Sequence, residues 1–336
     1  VALRLPALVT SRIIDPDEAA IGLLGRTMQR GGTLYTAMAD RKPPLPAQIY
    51  EWCFRLTGSP DLRLPRLVVA CLFAVSAVVL VHELARTHGA STARWAGVLY
   101  VAGAMAMAPA DGGAANYTHF ALPFATISLV LSRRRGTWAP LLAGVAFGAA
   151  ILGRQTWVFA VPAAAASVWL AHTSLAQRLR GLVLFAIGTC AAMATAALIA
   201  PWHEFWFWCF RSSTGFLTAS IAPGTALVRG LGALLLFTAF HLALIVGATL
   251  AARSNWRRDL DLWVWTLTGL AASAAGFRFF GHYWLQTLPP LVLLAAPLVA
   301  TLDQCARRLA TASLVLGGTV AFVLLCVPGV TRTRHG

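Results

Sequence analysis

The chain has 336 residues, 58% of them hydrophobic and only 12% charged, with a formal net charge of +15 and a mean hydropathy of +0.69. That balance excludes a soluble globule and belongs to an all-α protein that crosses the membrane many times, so length does not count domains. The arginines sit in small groups between apolar runs, which marks cytoplasmic loops and suits anionic membrane lipids, with no nucleic acid as partner.

In chain order, Val1-Ala2-Leu3-Arg4-Leu5-Pro6 lacks the charged start, apolar core and small-residue cleavage site of a signal peptide. It reads as the outer end of a further spanning helix. Ile14 to Pro46 is the polar centre of the sequence: it holds four of the twelve acidic residues, Asp15, Asp17, Glu18 and Asp40, and the only lysine, Lys42. In Asp15-Pro16-Asp17-Glu18 the first residue suits an N-cap, the proline the first helical position and Glu18 the capping-box acid, so a helix over 16–30 is predicted. Capping and catalysis are compatible uses of these carboxylates. With Ala19, Ala20, Ile21, Leu23 and Leu24 the helix lies flat on the membrane surface. A second short helix is predicted over 46–57.

Lys42 is the sharper signal. The 27 basic residues less this one leave 26 arginines, so arginine serves wherever a generic cation suffices. A retained ammonium points to a compact charge on a phosphate oxygen rather than a planar fork. Pro43-Pro44 remove two N–H donors and stiffen the backbone behind it. The alternative is a surface lysine beside the headgroups.

Beyond Pro65 the chain is mostly apolar. Spans of about 20 residues are predicted near 66–84, 94–109, 116–131, 137–153, 156–171, 181–200, 230–251, 262–276, 284–300 and 309–328. One set of connecting loops carries twelve arginines: Arg86, Arg94, Arg133, Arg134, Arg135, Arg178, Arg180, Arg253, Arg257, Arg258, Arg307 and Arg308. The alternate set carries only Arg154, Arg278 and, in a longer 201–229 loop, Arg211 and Arg229. The positive-inside rule makes the first set cytoplasmic and the second, with Ile14–Pro46, extracytoplasmic. Residues 1–64 then form a first outer loop with two juxtamembrane helices, 65–330 a transmembrane bundle and 331–336 a short tail, in a multi-pass protein of the plasma membrane.

Several later stretches carry candidate contacts. Asp111 either ends a span or contributes a carboxylate. Arg154-Gln155 opens the outer end of a span, where an arginine needs a cavity or a partner. Pro201-Trp202-His203-Glu204 leads an aromatic run that reads as an interfacial belt or, through Trp202 and Glu204, as an acceptor surface. Arg278-Phe279-Phe280-Gly281-His282-Tyr283 is either an aromatic anchor or a second phosphate contact. The six cysteines, Cys53, Cys71, Cys190, Cys209, Cys305 and Cys326, show no metal-binding spacing; the pairing of Cys53 with Cys209 is left open. No cofactor is certain; a divalent cation on Asp15, Asp17 and Glu18 is a candidate, although oxygen-rich metal sites need more ligands than one short segment supplies.

Asp17-Glu18-Ala19, Gly31-Gly32-x-Leu34-Tyr35, Asp40-Arg41-Lys42-Pro43-Pro44-Leu45 and the late Arg278 to Pro290 stretch together resemble the GT-C glycosyltransferases, in particular bacterial proteins of the aminoarabinose-transferase and protein-O-mannosyltransferase kind. The resemblance implies a GT-C-type helical membrane bundle and a sugar transferred from a polyprenyl-phosphate donor to an extracytoplasmic glycan, lipid or protein. It gives the base or acceptor-positioning role to Asp17, with Glu18 beside it, and donor-phosphate contacts to Lys42, Arg278 and Arg154. Asp40, Tyr35, His282, Tyr283, Trp202, Glu204 and Asp111 become candidate sugar or acceptor contacts. Relatives carry an acid near Thr118 that this chain lacks, so a second carboxylate there is in doubt. A transporter or flippase of lipid-linked sugars and an inactive lipid-binding relative are the competing classes; transporters place charges at mid-span and show inverted repeats, neither of which is seen in the sequence.

Overall fold

The computed structural model describes residues 4–107, 109–212 and 222–302, with Ala312 and Leu316 beyond them. The predicted span at 309–328, the arginines at 307 and 308, the cysteines at 305 and 326 and the tail at 331–336 lie outside the described residues. The described chain is all helix and turn, with a lone bridge between Leu34 and Met38.

After a short turn of helix, Leu5–Val9, the outer segment forms α1 (Pro16–Gln29) and α2 (Leu45–Thr57). Asp15 caps α1, its side chain accepting from the Asp17 N–H at 2.8 Å, and α2 stops where Gly58 turns left-handed at φ 66°. The bundle follows: α3 (Arg63–His88), α4 (Ala90–Met105), α5 (Tyr117–Ser132), α6 (Ala139–Gly153), a 3-10 stretch Gln155–Ala160 running into α7 (Val161–Ala171), α8 (Leu175–Ala194), α9 (Pro223–Phe240), α10 (Leu242–Asn255), α11 (Leu260–Ala274), and a 3-10 stretch Gly281–Thr287 running into α12 (Leu288–Thr301).

Burial sorts these helices into a centre and a rim. α5 is buried almost all round, from Tyr117 and Phe120 to Leu129 and Ser132, as is α12. α9 exposes Leu227, Val228, Leu231 and Leu235, an apolar face that only lipid covers favourably. Helices α6 and α8 meet through glycine. A Cβ on Gly144 would stand 2.0 Å from the Phe185 carbonyl oxygen, and one on Gly188 2.2 Å from that of Leu141, so the backbones touch as small residues allow within membranes.

The bundle departs from the predicted spans at two places. The 230–251 span is two helices: the chain breaks at His241, whose Nδ1 lies 2.9 Å from the Phe237 carbonyl and whose Nε2 reaches the Gly103 carbonyl at 2.8 Å. There a buried imidazole lies between the Phe237 carbonyl of its own helix and the Gly103 carbonyl of α4, a long-range contact that hydropathy does not register. The 201–229 loop is also partly helical: Trp202–Trp206 and a π turn, Phe207–Arg211, occupy its start, and α9 takes in Arg229 because Pro223 suits a first helical turn.

Candidate active site

The N-terminus of α1, the loop before α2, the α6–α7 junction and the turn before α12 converge on one cavity of about 490 Å³. Its charged lining is Asp17, Asp40, Arg41, Lys42, Arg154 and Arg278, while Val158, Phe159, Phe210 and Phe280 make it apolar on another side.

Lys42 Nζ lies 3.5 Å from Asp17 Oδ2 and 4.4 Å from the centre of the Tyr117 ring. A cation–π contact of this kind holds the ammonium without spending its N–H groups on protein acceptors. The loop that presents it is fixed from three sides. The Tyr35 hydroxyl donates to the Lys42 carbonyl at 2.7 Å, the Gln155 amide to the Arg41 carbonyl at 2.7 Å, and the Tyr117 hydroxyl to Asp40. Tyr35 adopts φ 71°, a left-handed backbone rare for a bulky residue and retained where surrounding contacts over-determine it.

Burial by itself would raise the Asp17 carboxyl, but Lys42, His282 and Arg154 together pull it below the usual carboxylate range, so it is ionised at neutral pH. Asp15 moves the other way: burial dominates and its carboxyl rises, despite the attraction of His282. Two acids two positions apart are thereby given different protonation ranges.

Arg154, buried, donates to Thr118 and, at 2.9 Å, to Thr156, with its guanidinium 3.7 Å from the Tyr283 ring centre. Thr118 thus presents a hydroxyl that orients this arginine. Arg278 sits between Phe277 at φ 54° and Phe279 at φ 52°, after Gly276 at φ 77°, a run of left-handed residues that turns its side chain to the cavity lining. His282 is held by Asp111, whose Oδ1 accepts from both its backbone N–H at 2.9 Å and its Nδ1 at 2.8 Å. The buried Nε2 lacks a hydrogen-bond partner and faces Asp17 Oδ2 at 3.8 Å. Gly281 leaves room for this: a Cβ there would come 2.4 Å from Asp111 Oδ2.

Three candidates fall elsewhere. Glu18 does not accompany Asp17 in the cavity. Both its oxygens take Arg66 N–H groups at 2.7 Å, and the backbone N–H groups of Ile14 and Ala115 add bonds at 3.1 Å. Its acceptors are spent on a wholly buried ion pair tying α1 to α3. Trp202 and Glu204 are likewise not among the cavity's lining residues. Glu204 lies 3.6 Å from His203 and Trp202 packs on Phe205, while from the same run Cys209, whose Sγ is 3.2 Å from the Tyr35 hydroxyl, and Phe210 line the cavity. Cys209 and Cys53 are both free thiols. With Glu18 occupied, the three-carboxylate metal site does not form; among the described residues no group of three His, Cys, Asp or Glu side chains is disposed to hold a metal ion.

The residues that sequence reasoning did not single out are Tyr117 and Arg66. Only Arg66 had a local signal, an arginine just inside an apolar span that needs a buried partner.

No protein-family model and no curated protein sequence matches the chain. Solved structures do. A crystal structure of ArnT from Cupriavidus metallidurans bound to undecaprenyl phosphate superposes with a TM-score of 0.65 at 19% identity, covering 98% of this chain and 72% of that one. The apo structure of the same protein gives 0.64 at 18% identity, over 98% and 71%. The chain shares the polytopic helical fold of these ArnT structures.

Proposed function

We propose that the chain is an integral-membrane glycosyltransferase that moves a sugar from a polyprenyl-monophosphate donor to an extracytoplasmic acceptor. The observation that carries this is the juxtaposition of one ionised carboxylate, Asp17, with one ammonium, Lys42, at 3.5 Å in the wall of a cavity that also receives Arg154 and Arg278. The undecaprenyl phosphate bound to ArnT supports a prenol-linked phosphate as ligand. The apolar side at Val158, Phe159 and Phe280 suits its tail.

The donor phosphate competes with Asp17 for Lys42. As the ammonium turns to the phosphate, Asp17 loses the counter-ion that depresses it and becomes the better base, so donor binding arms the carboxylate. The acceptor hydroxyl oxygen then attacks the anomeric carbon from the face opposite the phosphate. The bond from carbon to phosphate oxygen breaks with its electron pair, the neutralised phosphate leaves without protonation, and the acceptor proton passes to Asp17. A single displacement inverts the anomeric centre. His282, fixed by Asp111, stands behind Asp17 as its second neighbour.

Incubating the protein in lipid nanodiscs with a panel of polyprenyl-phosphate sugars tests this: one donor should release free polyprenyl phosphate. Donor binding without release favours a flippase or an inactive lipid-binding relative, and turnover of nucleotide-sugars instead overturns the proposal.

A further inference from the structure

A second pocket, of about 340 Å³, lies at the other ends of the helices that build the reaction cavity. Pro140, in the first turn of α6, lines it, whereas Arg154, directly after the last residue of α6, lines the cavity. Fourteen positions of helix separate the two by about 21 Å at 1.5 Å per residue. The polar lining is Arg135, Thr137, His172, Thr173, Gln177 and Arg180, with no carboxylate.

The triplet Arg133-Arg134-Arg135 shows why this matters. Arg133 is paired with Asp259 and Asp261, and Arg134 with Glu83. Arg135 has no acidic partner among the described residues; its Nε is spent on the Ala171 carbonyl at 3.1 Å, and the guanidinium lines the pocket with Arg180, which also lacks one. Two cations brought together where neighbouring arginines are each neutralised leave a deficit that a bound anion corrects. The hydroxyls and amide around them are donors matched to phosphate oxygens. The surroundings point to the source of that phosphate. Trp138, between Thr137 and the start of α6, is 66% exposed, and Leu175 and Leu179 on α8 are also exposed. An exposed tryptophan at a helix end and leucines beside it mark the boundary between headgroups and acyl chains. Pro140 and Leu184 give the pocket an apolar part for a glycerol backbone.

We propose that this pocket binds the phosphate of an anionic phospholipid headgroup, in the leaflet opposite the reaction cavity. Native mass spectrometry of the protein released from phosphatidylcholine nanodiscs carrying a minor fraction of phosphatidylglycerol tests it. Phosphatidylglycerol should be retained in excess of its share. Replacing Arg135 and Arg180 together by Gln should weaken retention about thirtyfold, about fivefold for each basic side chain removed beside an anionic surface. Thr137→Glu, which sets a carboxylate in the pocket of an otherwise unaltered chain, should do the same. Arg94→Gln, an exposed arginine outside the pocket, should leave retention unchanged. Equal retention by the pocket variants, equal loss in Arg94→Gln, or displacement of the lipid by inorganic phosphate each overturns the proposal.

Discussion

Adjacent acids at the start of α1 carry opposite expectations. Asp17 lies in the cavity wall beside a cation, so Asp17→Asn should lower transfer by about 10²–10⁴-fold, the range for a lost general base, while donor binding stays nearly intact. Lys42→Ala should weaken donor binding by about 10- to 100-fold, one hydrogen bond to a charged group. Lys42→Arg should restore it only in part, since a planar fork directs its donors to a phosphate differently from a compact ammonium. Steady-state and binding measurements together check this, and equal loss of both in both variants sinks the assignment. Glu18→Gln should instead leave the Arg66 guanidinium buried without its counter-charge and cost about 3–5 kcal/mol of stability, read as a lowered unfolding temperature with unchanged turnover per folded molecule. The third acid, Asp15, has a carboxyl raised above 3.8 in the fold, so between 3.8 and its folded value the native state binds the more protons and stability falls as pH rises. Asp17, depressed, contributes the reverse: stability that is present above 3.8 and lost as pH falls through its folded value. Asp15→Asn keeps the cap and should remove the decline above 3.8, measured by unfolding from acid to neutral pH; an unchanged pH slope contradicts the buried-charge account.

At the scale of elements, α1 and α2 were legible because their ends are written locally: Asp15-Pro16 starts one and Gly58 stops the other. Asp17 and Lys42 were legible as a motif. The parts that hold them were not, because they come from across the chain: Tyr117 lies 77 positions from Asp40, and His282 lies 171 from Asp111. The break at His241 escaped hydropathy for the same reason, as its partner is the Gly103 carbonyl. The glycine contact between α6 and α8 is the element-scale feature most open to test. Gly144→Ala must force the backbones apart, since the new Cβ would stand 2.0 Å from a carbonyl oxygen; overpacking of this kind costs about 1–3 kcal/mol. Gly232→Ala, in α9 with nothing within 4 Å, should instead stabilise by about 0.5–1 kcal/mol through helix propensity. Thermal unfolding of both in one detergent measures the contrast, and equal effects remove the claim that close approach, not composition, fixes the glycines.

For the whole molecule, sidedness decides the chemistry. Prenol-linked sugars presented at the outer leaflet and nucleotide-linked sugars in the cytosol are alternative supplies, and only the face onto which Asp17 and Lys42 open selects between them. The arginines of the later short loops argue for the outside: Arg133, Arg134, Arg135, Arg178 and Arg180 lie on one side, and Arg154 and Arg278 stand singly on the side of the reaction cavity. The two faces are joined by α3 itself, whose 26 residues span about 39 Å, enough to cross the apolar core of a bilayer with room to tilt. Ser59, exposed just before α3, and Ser91, exposed just after it, are conservative sites for single cysteines in a chain whose own cysteines have been replaced by alanine. A membrane-impermeant maleimide should label Ser59→Cys in intact cells and Ser91→Cys only after permeabilisation. The reverse pattern would open the reaction cavity to the cytosol, where soluble nucleotide-sugars are the donors within reach.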